Sequence, residues 1–401
     1  MSKSISLSQP FLRLYVITFL FFSANPIINI VVPLRSEAEG ASNAEIGMMM
    51  GAYMVTSMLC RPWAGGVVSR FGPLFVLRAL LIANGVILLL YTIVGLEWYF
   101  AVRAMQGVMT ALFSLALQMG LVDTLPENER SHGISLYLLA GMLPAVVGPL
   151  AALSIWNWGG MSAFTMTMIF IGIATGLIGY NVRLSPGVTK IQAEKQEGNM
   201  LAHLRQLWRN HAFFVCSVAM LIPSISFGAV VTFIVLYTKA SGVGNPGLYL
   251  MLQAGVIVLS RYTLRKRVPS DGKWPDKLVA VLLLFVATGT LLLGLASNFG
   301  AVFMYAASMM LGVGMALLYP TLMTYLTFVL PTSSRNTLIG LFIAVSDFGV
   351  LIGNMVMGYV ADQLSYTSMY FVCACLTVVA FIIVFVSGRR LVSTNHSYAV
   401  T

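Results

Sequence analysis

Apolar residues in this chain run in stretches too long and too numerous for a soluble fold. They cover residues 11–34, 46–68, 74–94, 99–122, 133–155, 161–182, 211–235, 246–263, 278–295, 301–329, 336–360 and 367–387. A helix crossing the hydrocarbon core of a bilayer needs about 20 mostly apolar residues. Inside lipid, a single segment satisfies its backbone groups only by coiling into a helix. Each stretch therefore predicts a spanning helix, and the fold class expected is an all-α membrane protein with twelve transmembrane helices. Charged residues make up only 9% of the chain, against about 25% in a soluble domain, which excludes a soluble enzyme. Met1 to Pro10 is polar, and residues 11–34 are too long for a signal-peptide core and lack a small-residue cleavage site. They read as the first span.

A net charge of +10 would suggest a nucleic-acid partner if the charges were spread evenly. They are not. Of the 23 Lys and Arg, Arg35 and Lys239 lie on one side of the predicted membrane and Arg61, Arg103 and Arg261 lie within spans. All the others fall with the termini, with the loops on the termini's side, or, as Arg13 and Arg78 do, at the span ends next to them. The positive-inside rule puts both termini in the cytoplasm, and the partner implied is a lipid bilayer, not nucleic acid. Residues 183–210 form the only long polar stretch. They divide the chain into 1–182 and 211–401, two six-helix bundles joined by a cytoplasmic linker loop.

The two halves repeat each other. Met105, Gly107, Val108, Ala111, Leu112, Leu125, Pro126, Arg130, Ile134 and Gly148 recur 205 positions later, from Met310 to Gly353. Gly47, Leu59, Arg61 and Gly72 recur 200 positions later, so five inserted residues reconcile the two registers. Parallel six-helix repeats build many secondary transporters, which hold substrate near mid-membrane between halves that open alternately. A channel or scaffold does not need that symmetry.

The loop after the second stretch reads Gly65-Gly-Val-Val-Ser69-Arg70-Phe-Gly72-Pro73. It resembles the Gly-x-x-x-Asp-Arg-x-Gly-Arg signature of the major facilitator superfamily, and the resemblance extends over essentially the whole chain. It implies the major facilitator fold, with two pseudo-symmetric six-helix bundles. Ser69 and Pro73 replace the family's Asp and Arg, so Asp123 at the end of the fourth stretch is the nearest carboxylate for Arg70. Gly65, Arg70, Gly72, Asp123 and Arg130 are expected at the cytoplasmic gate. Arg103-Ala-Met-Gln106-Gly107 is similar to the family's Arg-x-x-Gln-Gly motif, which implies a part for Arg103 in proton coupling. Gly148-Pro149, with Gly141 and Pro144 before it, is similar to the motif of exporters that exchange substrate for protons. Ala152 and Leu153 stand where that motif has glycines, and the alternative is a kink that merely packs. Residues 40–65, 105–118 and 125–137 resemble exporters of staphylopine-type opine metallophores most closely.

A charged side chain at mid-membrane costs about 2.5–3.5 kcal/mol even on the lenient insertion scale, so each should face a cavity or a partner. Arg61 lies about 22 Å from the outer end of its helix at 1.5 Å per residue, and Arg261 is its repeat mate. Two guanidinium groups facing one cavity would grip carboxylates bidentately; the alternative is that both snorkel to the cytoplasmic surface. Tyr53 and Gln253, eight residues before these arginines, could line the same cavity, as could Asn25 and Asn29 beside the kinking Pro26, and Tyr319 beside Pro320. Each alone is as readily an interhelical hydrogen bond.

Asp347 is the only acid well inside a predicted span. It is the first candidate for a proton carrier, because burial raises a carboxyl pKa and a nearby cation lowers it again. A static salt bridge is the alternative. Glu45 is a second, outer candidate. None of the four His sits deep in a span, and Cys60, Cys216, Cys373 and Cys375 lie in apolar stretches without metal-ligand spacing. No metal site, cofactor or ATP-binding loop is expected. The composite expectation is a monomeric, proton-coupled exporter of a small carboxylate-rich zwitterion in a bacterial plasma or inner membrane. The alternatives are a multidrug antiporter and a non-transporting receptor.

Overall fold

The computed structural model describes residues 8–182, 210–264, 267–269, 271–330 and 335–397. Most of the linker loop, with Lys190, Glu194, Lys195, Glu197, Arg205 and Arg209, lies outside the described residues. The helices are α1 (Gln9–Ala38), α2 (Asn43–Phe71), α3 (Pro73–Ile93), α4 (Tyr99–Thr124), α5 (127–158) and α6 (161–180). They continue as α7 (His211–Ser241), α8 (Pro246–Thr263), α9 (Asp276–Phe299), α10 (Ala301–Val329), α11 (Arg335–Gln363) and α12 (Tyr366–Ser397). Helices α5 and α6 are the two arms of one continuous segment whose backbone leaves helical geometry only at Gly159 and Gly160. Among the described residues there is no strand, and nine helical segments are long and apolar enough to cross a membrane.

Local chemistry sets the helix ends. Asn210 accepts from the Phe213 amide at 3.2 Å and Asn245 from the Leu248 amide at 2.9 Å, so α7 and α8 each start on an asparagine cap worth about 1 kcal/mol. Pro246 at the first turn of α8 and the left-handed Gly242 closing α7 complete that junction. At α2, Ser42 and Glu45 bond reciprocally: the Glu45 amide donates to Ser42 Oγ at 3.2 Å, and Ser42 N donates to Glu45 Oε2 at 2.8 Å. This is a capping box.

The chain forms two compact units. Unit 1 holds residues 1–41 and 48–196; unit 2 holds 42–47 and 197–401. The short segment Ser42–Gly47 joins unit 2 because Asp362 accepts hydrogen bonds from the Asn43 and Ala44 amides, at 2.9 and 2.8 Å, and Tyr366 Oη donates to Asn43 Oδ1 at 2.6 Å. A carboxylate there also complements the positive end of the α2 dipole.

Inside unit 1, α1 packs along the α5–α6 segment and α3 packs against α4 and the same segment. Leu14, Ile17 and Phe21 of α1 meet Leu77 and Leu81 of α3 and Phe113 and Leu117 of α4 in one core. Phe21 stacks on Phe113 with ring centroids 3.7 Å apart. Inside unit 2 the pairing runs α7 with α11, α9 with α10 and α12, and α8 with α10. Large apolar side chains also cover the outside, such as Trp158 at 83% exposure. That suits lipid and would be a liability in water.

The sequence repeat is realised as repeated packing. A Cβ on Gly107 of α4 would meet the Tyr53 carbonyl of α2 at 2.3 Å, and one on Gly312 of α10 would meet the Gln253 carbonyl of α8 at 3.1 Å. Gly312 is the mate of Gly107 at the longer offset, and Gln253 is the mate of Tyr53 at the shorter one. Small residues that let helix backbones approach are the usual adhesive of membrane bundles.

Candidate functional site

The most unusual feature of unit 1 is Arg103, a large cationic side chain only 2% exposed. Its residue is the fifth of α4. Nη1 donates to Gln106 Oε1 at 2.9 Å and, more weakly, to Asn25 Oδ1 at 3.4 Å. Nη2 donates to Asn29 Oδ1 and touches Met50 Sδ at 3.4 Å. The guanidinium carbon lies 5.2 Å from the centre of the Tyr53 ring. Its Nε is buried and has no hydrogen-bond partner. Every acceptor around this charge is neutral.

Three helices deliver these groups. Asn25 and Asn29 are a helical turn apart on α1 and so share a face. Between them Pro26 packs against α5: a Cβ on Gly148 would sit 2.4 Å from the Pro26 ring, so only glycine lets α1 come that close. Tyr53 and Met50 come from α2, which Gly107 admits against α4 and which Thr56 stitches there by donating to the Ala104 carbonyl at 2.7 Å. Asn25 Nδ2 in turn donates to Tyr53 Oη at 3.0 Å. Tyr91 of α3 donates to Gln106 Oε1 at 2.8 Å, so that one oxygen serves both Tyr91 and Arg103.

Arg35, near the end of α1, offers the contrast. It bonds Tyr99 Oη and pairs with the Glu39 carboxylate at 2.6 Å. Among the described residues Arg103 has no such acid. A buried ion without a counter-charge carries a desolvation penalty of several kcal/mol. Neutral bonds to a charged group, at about 1.5–3 kcal/mol each, and the cation–π contact offset part of it. Chemically, the cluster is a preformed positive centre with a planar donor fork.

The sequence placed Asn25, Asn29 and Tyr53 with substrate and Arg103 with protons; the structure brings all four together. Gln106 stands out in the sequence only as part of a motif, although its spacing of three from Arg103 puts both on one helical face. Met50 and Tyr91 had no signal, because nothing in their local sequence reports on a neighbouring helix.

Arg61 lies eight residues beyond Tyr53 on α2 and is exposed. In unit 2, Arg261 is exposed and its Nε donates to the Ala316 carbonyl at 3.3 Å. Gln253 is buried with its Nε2 unpartnered, Tyr319 stacks on Phe342 at 5.9 Å, and Asp347 is half-buried on α11. Glu45 is exposed and engaged with Ser42. The four cysteines are free thiols, and no cluster of potential metal ligands occurs among the described residues.

Of the expected gate residues, Gly65 lies in the last turns of α2 and Gly72 turns the chain into α3 with φ +81°. Arg130 Nε donates to the Leu125 carbonyl at 3.2 Å, tying the α4–α5 connection. Pro149 is buried beside Gly148 on α5. The Arg70 guanidinium lies 5.5 Å from the centre of the Phe71 ring, and it forms no ion pair with Asp123 in this conformation. If the two pair in another conformation, Arg70→Ala and Asp123→Ala should shift cysteine accessibility along the cytoplasmic side in the same direction. Exchanging the two charges should then restore most of the shift. Strictly additive single effects would rule out the pair.

The chain matches the model of the Major Facilitator Superfamily over residues 14–269 and 270–397. It is 42% identical over 382 residues to the staphylopine export protein of Staphylococcus aureus, covering 95% of this chain and 96% of that protein. Among solved structures it is similar in fold to the nucleoside transporter NupG, with a TM-score of 0.75 at 13% identity over 95% of this chain and 99% of that one. It is also similar to a bacterial homologue of the human lysosomal transporter Spinster, with a TM-score of 0.74 at 14% identity over 94% of this chain and 96% of that one.

Proposed function

The chain belongs to the Major Facilitator Superfamily, and from that premise we propose that it exports a small carboxylate-rich zwitterion, an opine-type metallophore, in exchange for protons. It is an integral membrane protein. The membrane proposed is the bacterial plasma or inner membrane, with both termini cytoplasmic and one chain as the working unit. The observation that carries the reading is the sign of the charge within unit 1: a buried guanidinium met, among the described residues, only by neutral groups, in a chain similar over nearly its whole length to a staphylopine exporter. An exporter of apolar cations would want acidic and aromatic surroundings, and this cluster repels cations. Cargo binding is assigned to Arg61, Arg261, Asn25, Asn29, Tyr53, Gln253 and Tyr319, proton coupling to Asp347 and Arg103 with Glu45 secondary, and gating to Gly65, Arg70, Gly72, Asp123, Arg130, Gly148 and Pro149.

The test is direct. Inside-out vesicles containing the protein should accumulate an opine tricarboxylate when the interior is made acidic, and medium from a deletion strain should lack the corresponding metabolite. Normal metabolite export by the deletion strain, together with inert vesicles, would overturn the reading. Arg61→Ala should cost the roughly ten- to hundredfold in affinity that follows from one charge-assisted contact. Wild-type transport by that variant would remove Arg61 from the site.

A further inference from the structure

We propose that Arg103 is the anchor for one carboxylate of the cargo, and that the amide oxygen of Asn29 stands in for that carboxylate when no cargo is bound. The inference rests on the exporter reading and adds to it the group that makes the contact. Four observations carry it. The side chain is 98% buried, so its charge gains little from water. Its partners are neutral amide oxygens and a thioether, with no carboxylate among the described residues. Its Nε is buried and unsatisfied, so donor capacity remains. Finally, Asn25 and Gln106 accept from Nη1, so both can keep their bonds while Nη2 exchanges Asn29 for a carboxylate.

A carboxylate on the Nε–Nη2 edge would displace Asn29 from Nη2, take two parallel charge-assisted bonds and fill the vacant donor at Nε. It would cancel the buried charge with the single group that neutral amides only imitate. The part of Arg103 in coupling is electrostatic: the site holds an anionic cargo more tightly than a protonated one. Tyr53, stacked over the guanidinium, limits the approach to one side.

The experiment uses the full-length purified protein and a synthetic opine tricarboxylate, with analogues in which one carboxylate at a time is an amide. Wild type is expected to prefer the acid over one of these amides by tenfold or more, a difference that tracks one charge-assisted contact. Arg103→Gln should erase that preference while melting at or above the wild-type temperature, because it removes an uncompensated buried charge. Asn29→Asp supplies an anion in place. It should raise the melting temperature and lower cargo affinity at least tenfold, and it keeps the test open if Arg103→Gln fails to fold. An unchanged acid-to-amide ratio in Arg103→Gln, or wild-type affinity in Asn29→Asp, would overturn the anchor. If those variants bind as wild type while wild-type vesicles still transport the opine, the anchor falls and the exporter reading stands. If wild type neither binds nor transports it, both fall.

Discussion

Asp347→Asn is expected to reduce proton-driven uphill export to the level of protein-free vesicles while sparing downhill exchange of cargo. The amide matches the carboxyl in size and hydrogen-bonding reach but cannot ionise, so on the proposed coupling role the change removes proton exchange and little else. Asp347 is half-buried in α11, which packs along α7. Next to it, Ser346 and Ser224 join the two helices at 3.2 Å. A carboxylate's proton affinity falls when a cation comes near and rises when it leaves, and the proposed exchange of cargo for protons calls for such a response. Asp347→Glu should retain partial coupling. Glu45→Gln is expected to do far less, since that carboxylate is one half of the α2 capping box. Glutamine can still accept from the Ser42 amide and so keeps that box. An unaltered response of Asp347→Asn to an imposed pH gradient would transfer the coupling role to another group.

The spans were legible because lipid imposes a length on them. The stretches 246–263 and 301–329 coincide with α8 and α10, and 99–122 falls two residues short of the end of α4. The α5–α6 junction was placed correctly but looked longer than it is. Trp158 and its neighbours continue α5 up to a two-glycine break, and no polar segment was needed to turn the chain. The site was harder to read. A helix that is apolar all round has no hydrophobic stripe to show which face meets a neighbour, so the sequence could nominate Asn25, Tyr53 and Arg103 without showing that they meet. The same blindness hid Asp362, whose cap on α2 joins residues 319 positions apart. What did carry over was the internal repeat. Gly107 and Gly312 were paired by sequence offset alone, and each sits where a helix carbonyl comes too near for a side chain.

That geometry gives the second large effect. Gly107→Ala is expected to lower the melting temperature by several degrees and to weaken opine binding by tenfold or more. The added methyl would lie 2.2 Å from Thr56 Oγ1 and 2.3 Å from the Tyr53 carbonyl, both well inside van der Waals contact. Overpacking of this kind costs about 1–3 kcal/mol, and the strain can be relieved only by moving α2 away from α4. That shift carries Tyr53 off the Arg103 guanidinium and loosens the hydrogen bond it accepts from Asn25, so stability and binding should fall together. Trimming the side-chain neighbour with Thr56→Ala should not rescue Gly107→Ala, because the carbonyl stays where it is. Gly65→Ala is the matched control. It lies in the same helix as Tyr53 and in the family signature, but its new methyl would find only Leu115 Cδ2, at an ordinary 3.8 Å. There the higher helix propensity of alanine, up to about 1 kcal/mol, should leave the protein as stable as wild type or slightly more so. Wild-type melting and binding by Gly107→Ala, or full rescue by Thr56→Ala, would show that the α2–α4 approach does not hold the arginine cluster in place.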